Sequence, residues 1–255
     1  VKKNATVPQT EDEIRDWRDR GNFGKYPETR GGLSWYQKLG YVACDKVKES
    51  VSRTQDFSLN DTAAAILAQA TGHAEDAAFF TARSKSYTHL WDRESKLFLP
   101  RKSDGTFGKA EDGGYTECSA RTALWCVPHD PLGVAALLGG PDEYEARLDD
   151  YFLNHFFKPE SGNRSIHGNE PSHHTAYLYN AIGKQWKTAA QVREIARRSY
   201  STDKKGFDGN EDCGQMSAWY ILSALGFYPL NPATDVYEIG SPLVERAVLK
   251  IGTPY

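Results

Sequence analysis

Apolar residues along this chain recur mostly at three- and four-residue steps, the spacing that lines one face of an α-helix. Residues 74–91 carry it in Ala77, Phe80, Ala82, Ser84, Tyr87 and Leu90, which predicts one amphipathic helix over that range. An alanine-rich helix is predicted over 62–71, with Asn60 and Asp61 as its caps and Gly72 as its stop. Further helices are predicted over 119–126, 130–138, 142–157, 175–182, 188–199 and 215–225. Thr10-Glu11-Asp12-Glu13 has the spacing of a capping box, ahead of a polar helix ending near Gly21. Residues 92–108 read as a polar loop with a turn signal at Ser103-Asp104-Gly105. Near the C-terminus, 236–242 and 246–252 read as strand, turn and strand. Two such strands cannot make a stable sheet alone, so the polypeptide is expected to be part of something larger. Successive helices of this length, joined by long loops, suggest helix pairs wound into a toroid that needs more helices than are present.

At 255 residues the chain can bury a core without disulfides. A net charge of −3 with interspersed signs offers no basic stripe, which argues against a nucleic-acid partner. No apolar run approaches the roughly 20 residues that span a bilayer. The cysteines, Cys44, Cys118, Cys126 and Cys213, have neither zinc-knuckle nor redox spacing and read as buried free thiols. The 12 % aromatic content suits stacking on sugars as well as an ordinary helical core. Sequons at Asn4, Asn60 and Asn163 point to a secreted or extracellular protein, with the periplasm as a further location.

Three loop-to-helix junctions concentrate chemistry. One is Glu111-Asp112-Gly113-Gly114-Tyr115-Thr116-Glu117-Cys118. Another is His167-Gly168-Asn169-Glu170-Pro171-Ser172-His173-His174, and the third is Gly209-Asn210-Glu211-Asp212-Cys213-Gly214-Gln215. Helix N-termini favour ionised carboxylates, so three such junctions on one face would build an acidic pocket. Glycoside hydrolysis needs one carboxyl group that donates a proton and a second that activates water or attacks. Glu117 and Asp212 suit those roles, although each also reads as a helix cap or a surface carboxylate. Asn169 and Glu170 offer hard oxygens, which favour calcium over zinc. His173 and His174 are adjacent and unsuited to share a metal; they read as bonding within the loop or to sugar hydroxyls.

The second junction resembles the HGNEP-x-HH signature of glycoside hydrolase family 92, the calcium-dependent exo-acting α-mannosidases. The likeness extends to Tyr115-Thr116-Glu117, to Leu124-Trp125-Cys126-Val127-Pro128-His129-Asp130, to residues 209–219 and to Ala224-Leu225-Gly226-Phe227-Tyr228-Pro229. Gly40-Tyr41-Val42 and Val51-Ser52-Arg53-Thr54 match an earlier block, and the blocks keep the family's order over most of the chain. The resemblance implies a mainly α fold. Residues 1–232 would be the later part of an (α/α)6 toroid, and 233–255 the start of a C-terminal β segment returning to an N-terminal β-sandwich absent from this chain. It implies release of terminal α-linked mannose from a mannose-containing glycan with inversion, with Glu117 as acid and Asp212 as base. Inversion asks for carboxyl groups roughly 6.5–9.5 Å apart. It also implies a calcium ion on the sugar's O2 and O3, with Asn169, Glu170 and Asn210 as ligands or sugar contacts and His173 and His174 around them.

Two positions depart from the family pattern. Asn210 stands where a second carboxylate is common. Arg121, read as one helical turn beyond Glu117, could contact a leaving group, and a guanidinium suits a mannosyl phosphodiester. The other readings are a non-catalytic mannose-binding helical domain and a structural toroid that recognises another protein.

Overall fold

The computed structural model describes residues 1–13, 30–158, 165–250 and 252. The described chain is mainly helical and divides into two compact units, Val1–Asp130 and Pro131–Tyr255. Among the described residues no helix is long and apolar enough to cross a membrane.

The first unit contains α1 (Lys2–Thr6), α2 (Leu33–Leu39), α3 (Ser50–Ala70), α4 (Ala74–Arg83) and α5 (Ala120–Ala123), with a 3-10 turn at Ser86–Leu90. The capping box forms as predicted: Thr10 N donates to Glu13 at 2.8 Å and Glu13 N to Thr10 Oγ1 at 3.3 Å. The rest of that predicted helix lies outside the described residues, as does the Asn163 sequon. In place of a helix starting at 62, α3 runs unbroken through Asn60 and Asp61. Cap-forming residues are tolerated inside it because their hydroxyls bond backwards. Thr54, Ser58 and Thr62 each donate to the carbonyl four residues upstream. Asp61 is not a cap but a core anion. It is fully buried, takes both Nε and Nη2 of Arg83 at 2.7 and 2.6 Å, and accepts the Tyr36 hydroxyl at 2.9 Å. That cluster joins α2, α3 and α4 beside the packed Leu33, Tyr36, Val42 and Phe57.

The helix predicted over 74–91 ends early. α4 stops at Arg83, the 3-10 turn follows, and Trp91 begins a short hairpin, β1 (Trp91–Asp92) against β2 (Leu97–Phe98). The hairpin replaces the start of the predicted polar loop. Asp92 makes it possible by accepting from both Ser95 N and its hydroxyl, at 2.8 and 2.6 Å. The helix predicted over 119–126 shrinks to α5, capped by Ser119, whose hydroxyl accepts from Thr122 N at 3.3 Å.

The second unit contains α6 (Pro131–Leu138), α7 (Pro141–Tyr151), a π-turn Phe152–Phe156, 3-10 turns at Ile166–Gly168, Glu170–Ser172 and Thr175–Ile182, then α8 (Gln185–Ser199) and α9 (Gln215–Leu225). The segment predicted as an α-helix at 175–182 is thus a 3-10 helix. At the C-terminal end β3 (Phe227–Tyr228) pairs antiparallel with β4 (Glu238–Ile239). Of the run predicted as a strand over 246–252, the described residues 246–250 form none, and β4 pairs with the chain just after α9 instead.

The core of this unit is an aromatic and imidazole stack. Tyr200 lies on Trp219 at 5.7 Å and 6°, and His167 meets Trp219 edge-on at 4.2 Å. The Tyr200 hydroxyl donates to the Met216 carbonyl at 3.0 Å, so its bond with His167 Nε2, also 3.0 Å, must be one it accepts. His167 is therefore the Nε2–H tautomer, with its buried Nδ1 lone pair lacking a hydrogen bond. His173 Nε2 donates to the His167 carbonyl at 2.9 Å, which leaves Nδ1 to accept from Gln215 Nε2 at 3.1 Å. Trp219 Nε1 donates to the His173 carbonyl at 2.9 Å. Burial pushes the pKa of both imidazoles down, well below the usual value for His167 and to about 4 for His173.

Two predictions follow from these cores. Removing one partner of a buried ion pair strands the other, so Asp61→Ala should destabilise the first unit by about 3–5 kcal/mol in denaturant titration. For the histidines, the unfolded state takes up protons below about pH 6.5 while the folded state does not, so stability should fall as pH falls. The slope should be at most about 1.4 kcal/mol per pH unit for each imidazole, and His173 should stop contributing to it below about pH 4. Denaturant unfolding between pH 7.5 and 4 measures this; His173→Gln should flatten the slope, and an unaltered slope would refute the neutral assignment.

Candidate active site

In the first unit the start of α3 builds the first acidic junction. Val51 N and Ser52 N both donate to the Gly114 carbonyl, at 2.8 and 3.3 Å, and Thr116 N donates to Ser52 Oγ at 2.9 Å. A helix start has spare N–H groups, and here they hold the loop that carries Glu117. Gly114 is needed because a β-carbon there would press on Pro100 Cγ at 2.5 Å. The Tyr115 hydroxyl donates to the Phe98 carbonyl at 2.8 Å and anchors the loop from its other side. Glu117 follows as an exposed residue at φ 52°, the left-handed region that side chains disfavour. Arg121 is exposed on α5, but Glu117 precedes that short helix in a left-handed conformation. The two residues are not neighbours one turn apart on a common helix, as the spacing had suggested. The next motif is structural: the buried Trp125 leads to Asp130, which accepts from the Tyr87 hydroxyl and pairs with Lys85 at 2.6 Å.

In the second unit the fold brings two of the three junctions together. A β-carbon on Gly209, at φ 68°, would overlap the Gly168 carbonyl, and one on Gly168 would stand 2.9 Å from Gly209 N. The two backbones touch, which requires glycine on both sides. Asn169 Oδ1 accepts from Glu170 N at 3.2 Å, and Ser172 Oγ donates to the carbonyls of Ile166 and Asn169, both at 2.9 Å. These bonds leave the Glu170 side chain exposed, while His167 and His173 point inward. Both ring nitrogens of His173 are bonded within the protein, so its part is to support the loop. His174 is half-buried beside it.

The opposite loop exposes Asn210, Asp212 and Cys213. Asp212 and Cys213 lie at φ 50° and 57°, and Gly214 at 96°. Glu211 turns back instead: its carboxylate accepts from Ser217 N at 3.3 Å and from the Ser217 hydroxyl at 3.1 Å. Sequence reasoning missed this contact, along with Gln215 and Tyr200 as supports. The one available signal was the glycine at 214, which cannot cap α9 with a side chain.

The expected ligands Asn169, Glu170 and Asn210 would offer carboxylate and amide oxygens without thiolate or imidazole, chemistry that suits calcium and not zinc. Three side chains supply only part of the six to eight oxygens calcium takes. Among the described residues no group of three or more His, Cys, Asp or Glu gathers as a metal site. Water and sugar hydroxyls would have to complete the shell.

Residues 1–254 match the glycosyl hydrolase family 92 catalytic domain. A curated relative from Arthroderma benhamiae, named an uncharacterized secreted glycosidase, is 26% identical over 96% of this chain. The chain spans about a third of that relative's length, 34%. Among solved structures, a family 92 α-mannosidase from Bacteroides thetaiotaomicron is 37% identical, with a TM-score of 0.77 over 84% of this chain and 29% of that one. A family 92 inverting mannosidase from the same organism is 34% identical, with a TM-score of 0.77 over 85% of this chain and 32% of its own. With nearly every residue inside the family match and its motif loops built as described, the chain belongs to glycosyl hydrolase family 92.

Proposed function

We propose that this chain carries catalytic residues of a calcium-assisted, exo-acting α-mannosidase that inverts configuration. The observation that carries the reading is shared by its two central carboxylates. Glu117 and Asp212 are both exposed, both sit at loop-to-helix junctions, and both occupy left-handed backbone. Only five non-glycine residues among those described do so: Glu49, Lys96, Glu117, Asp212 and Cys213. Such a conformation costs roughly 1–2 kcal/mol per residue, and strain of this kind gathers where function holds it in place. The names of the Bacteroides thetaiotaomicron structures, an α-mannosidase and an inverting mannosidase, support the substrate and the stereochemistry.

In this reading Glu117 donates its proton to the glycosidic oxygen as the leaving group departs. Asp212 takes a proton from water as that water attacks the anomeric carbon. Glu170, Asn169 and Asn210 would hold hydroxyls of the terminal mannose and a calcium ion, and calcium bound there would orient those hydroxyls. The helices would belong to an (α/α)6 toroid through residue 232, with 233–255 leading towards a β-sandwich supplied elsewhere in the polypeptide. Secretion is proposed from the sequons and from the name of the fungal relative.

Glu117→Gln and Asp212→Asn should each lower kcat on an α-linked mannobiose by about 100-fold or more. Their melting temperatures should stay close to that of the parent, since both substitutions keep the shape of the side chain. Proton NMR of the released sugar should show β-mannose first; α-mannose as first product would refute inversion. Removing divalent ions with a chelator should abolish activity and calcium should restore it, with Glu170→Gln raising the calcium concentration required. Activity indifferent to chelation would remove calcium from the reading while leaving the two carboxylates to their own test.

A further inference from the structure

Asp212, Cys213 and Gly214 are three consecutive residues in the left-handed region. Chains of L-residues rarely string such residues together, and a run of this kind persists only where its surroundings over-determine it. Gly214 begins α9 without a side chain to cap it. Glu211, the residue before the run, reaches across. Its two carboxylate oxygens accept from Ser217 N and Ser217 Oγ at 3.3 and 3.1 Å. Its carbonyl accepts from Met216 N at 3.3 Å, and the Asp212 carbonyl accepts from Gln215 N at 3.2 Å. The residue before the left-handed run and the first residue of the run are therefore both fastened to the first turn of α9. A carboxylate also suits the positive end of a helix.

We infer that Glu211 is the positioning residue of this site: by gripping Ser217 it holds the Asp212-Cys213-Gly214 turn left-handed and fixes where Asp212 presents its carboxylate. This rests on Asp212 acting as the base. Glu211 itself moves no proton; its side chain is committed to the helix start.

The test compares variants of the active enzyme. Glu211→Ala should lower kcat by about 10- to 100-fold, the loss typical of a misplaced catalytic group, with KM within about threefold. Glu211→Gln, whose amide oxygen still accepts from Ser217, should recover most of kcat. Combining Ser217→Ala with Glu211→Ala should cost little beyond Glu211→Ala alone, because one contact is lost in both. Should Glu211→Ala fail to fold, Glu211→Asp, one methylene too short to reach, takes its place with the same expectations. Unchanged kcat in the shortened variant, a lowered melting temperature alone, or a Glu211→Gln enzyme as slow as Glu211→Ala would overturn the inference. Asp212→Asn is assayed alongside. If it is fully active, the base assignment fails, and faster amide hydrogen exchange at 212–217 in Glu211→Ala still reports whether Glu211 holds the turn.

Discussion

The carbonyl of Gly168 occupies the space where a β-carbon of Gly209 would stand, and the loops that carry Glu170 and Asn210 meet at that contact. Two loops far apart in sequence are pressed together until only hydrogen atoms fit between them. Any side chain at either position would force the loops apart. Once they touch, Glu170 and Asn210 are left exposed on the outside of the joint, while His167 and His173 close it from the inside.

The inner half of the joint is polar and dry. His167, Tyr200 and Met216 form one run of hydrogen bonds, and Trp219, His173 and Gln215 form another, joined by His173 Nε2 donating to the His167 carbonyl. The roles of Tyr200, the His167 carbonyl and Gln215 in these bonds fix both tautomers and make the imidazoles neutral struts. Protonating either would replace a bonded lone pair, or a buried unbonded one, with a charge far from water. Glu117 is held by a different device, the unused N–H groups at the start of α3 acting on the carbonyl of Gly114. Both devices work through backbone groups: carbonyls in the first case, helix-start N–H groups in the second.

Much of the helical pattern was legible because burial follows periodicity. The range of α9 was read without error, and α6 and α8 to within a few residues. The misses have identifiable causes. Asn60 and Asp61 looked like caps, but Arg83 and Tyr36 drew Asp61 into the core and the helix ran through. The apolar steps of 74–91 continued through a 3-10 turn, whose period is too close to that of an α-helix to distinguish over five residues. The strand expected over 236–242 forms only at 238–239, and its partner was sought downstream and not in 227–228.

The order and chemistry of the motif loops were set by the sequence alone: which carboxylates stand before helices, which glycines flank them, and the family they resemble. Those are local properties, carried by residue type and spacing. Only the tertiary structure decided which polar groups face water and which are consumed inside. His173 and Glu211 belong to the same polar loops as Glu170 and Asp212. One pair is spent on holding the chain and the other is left exposed: Glu211 turns back to Ser217 six residues on, while the imidazoles of the second loop meet Tyr200 and Trp219, which folding brings up from far along the chain.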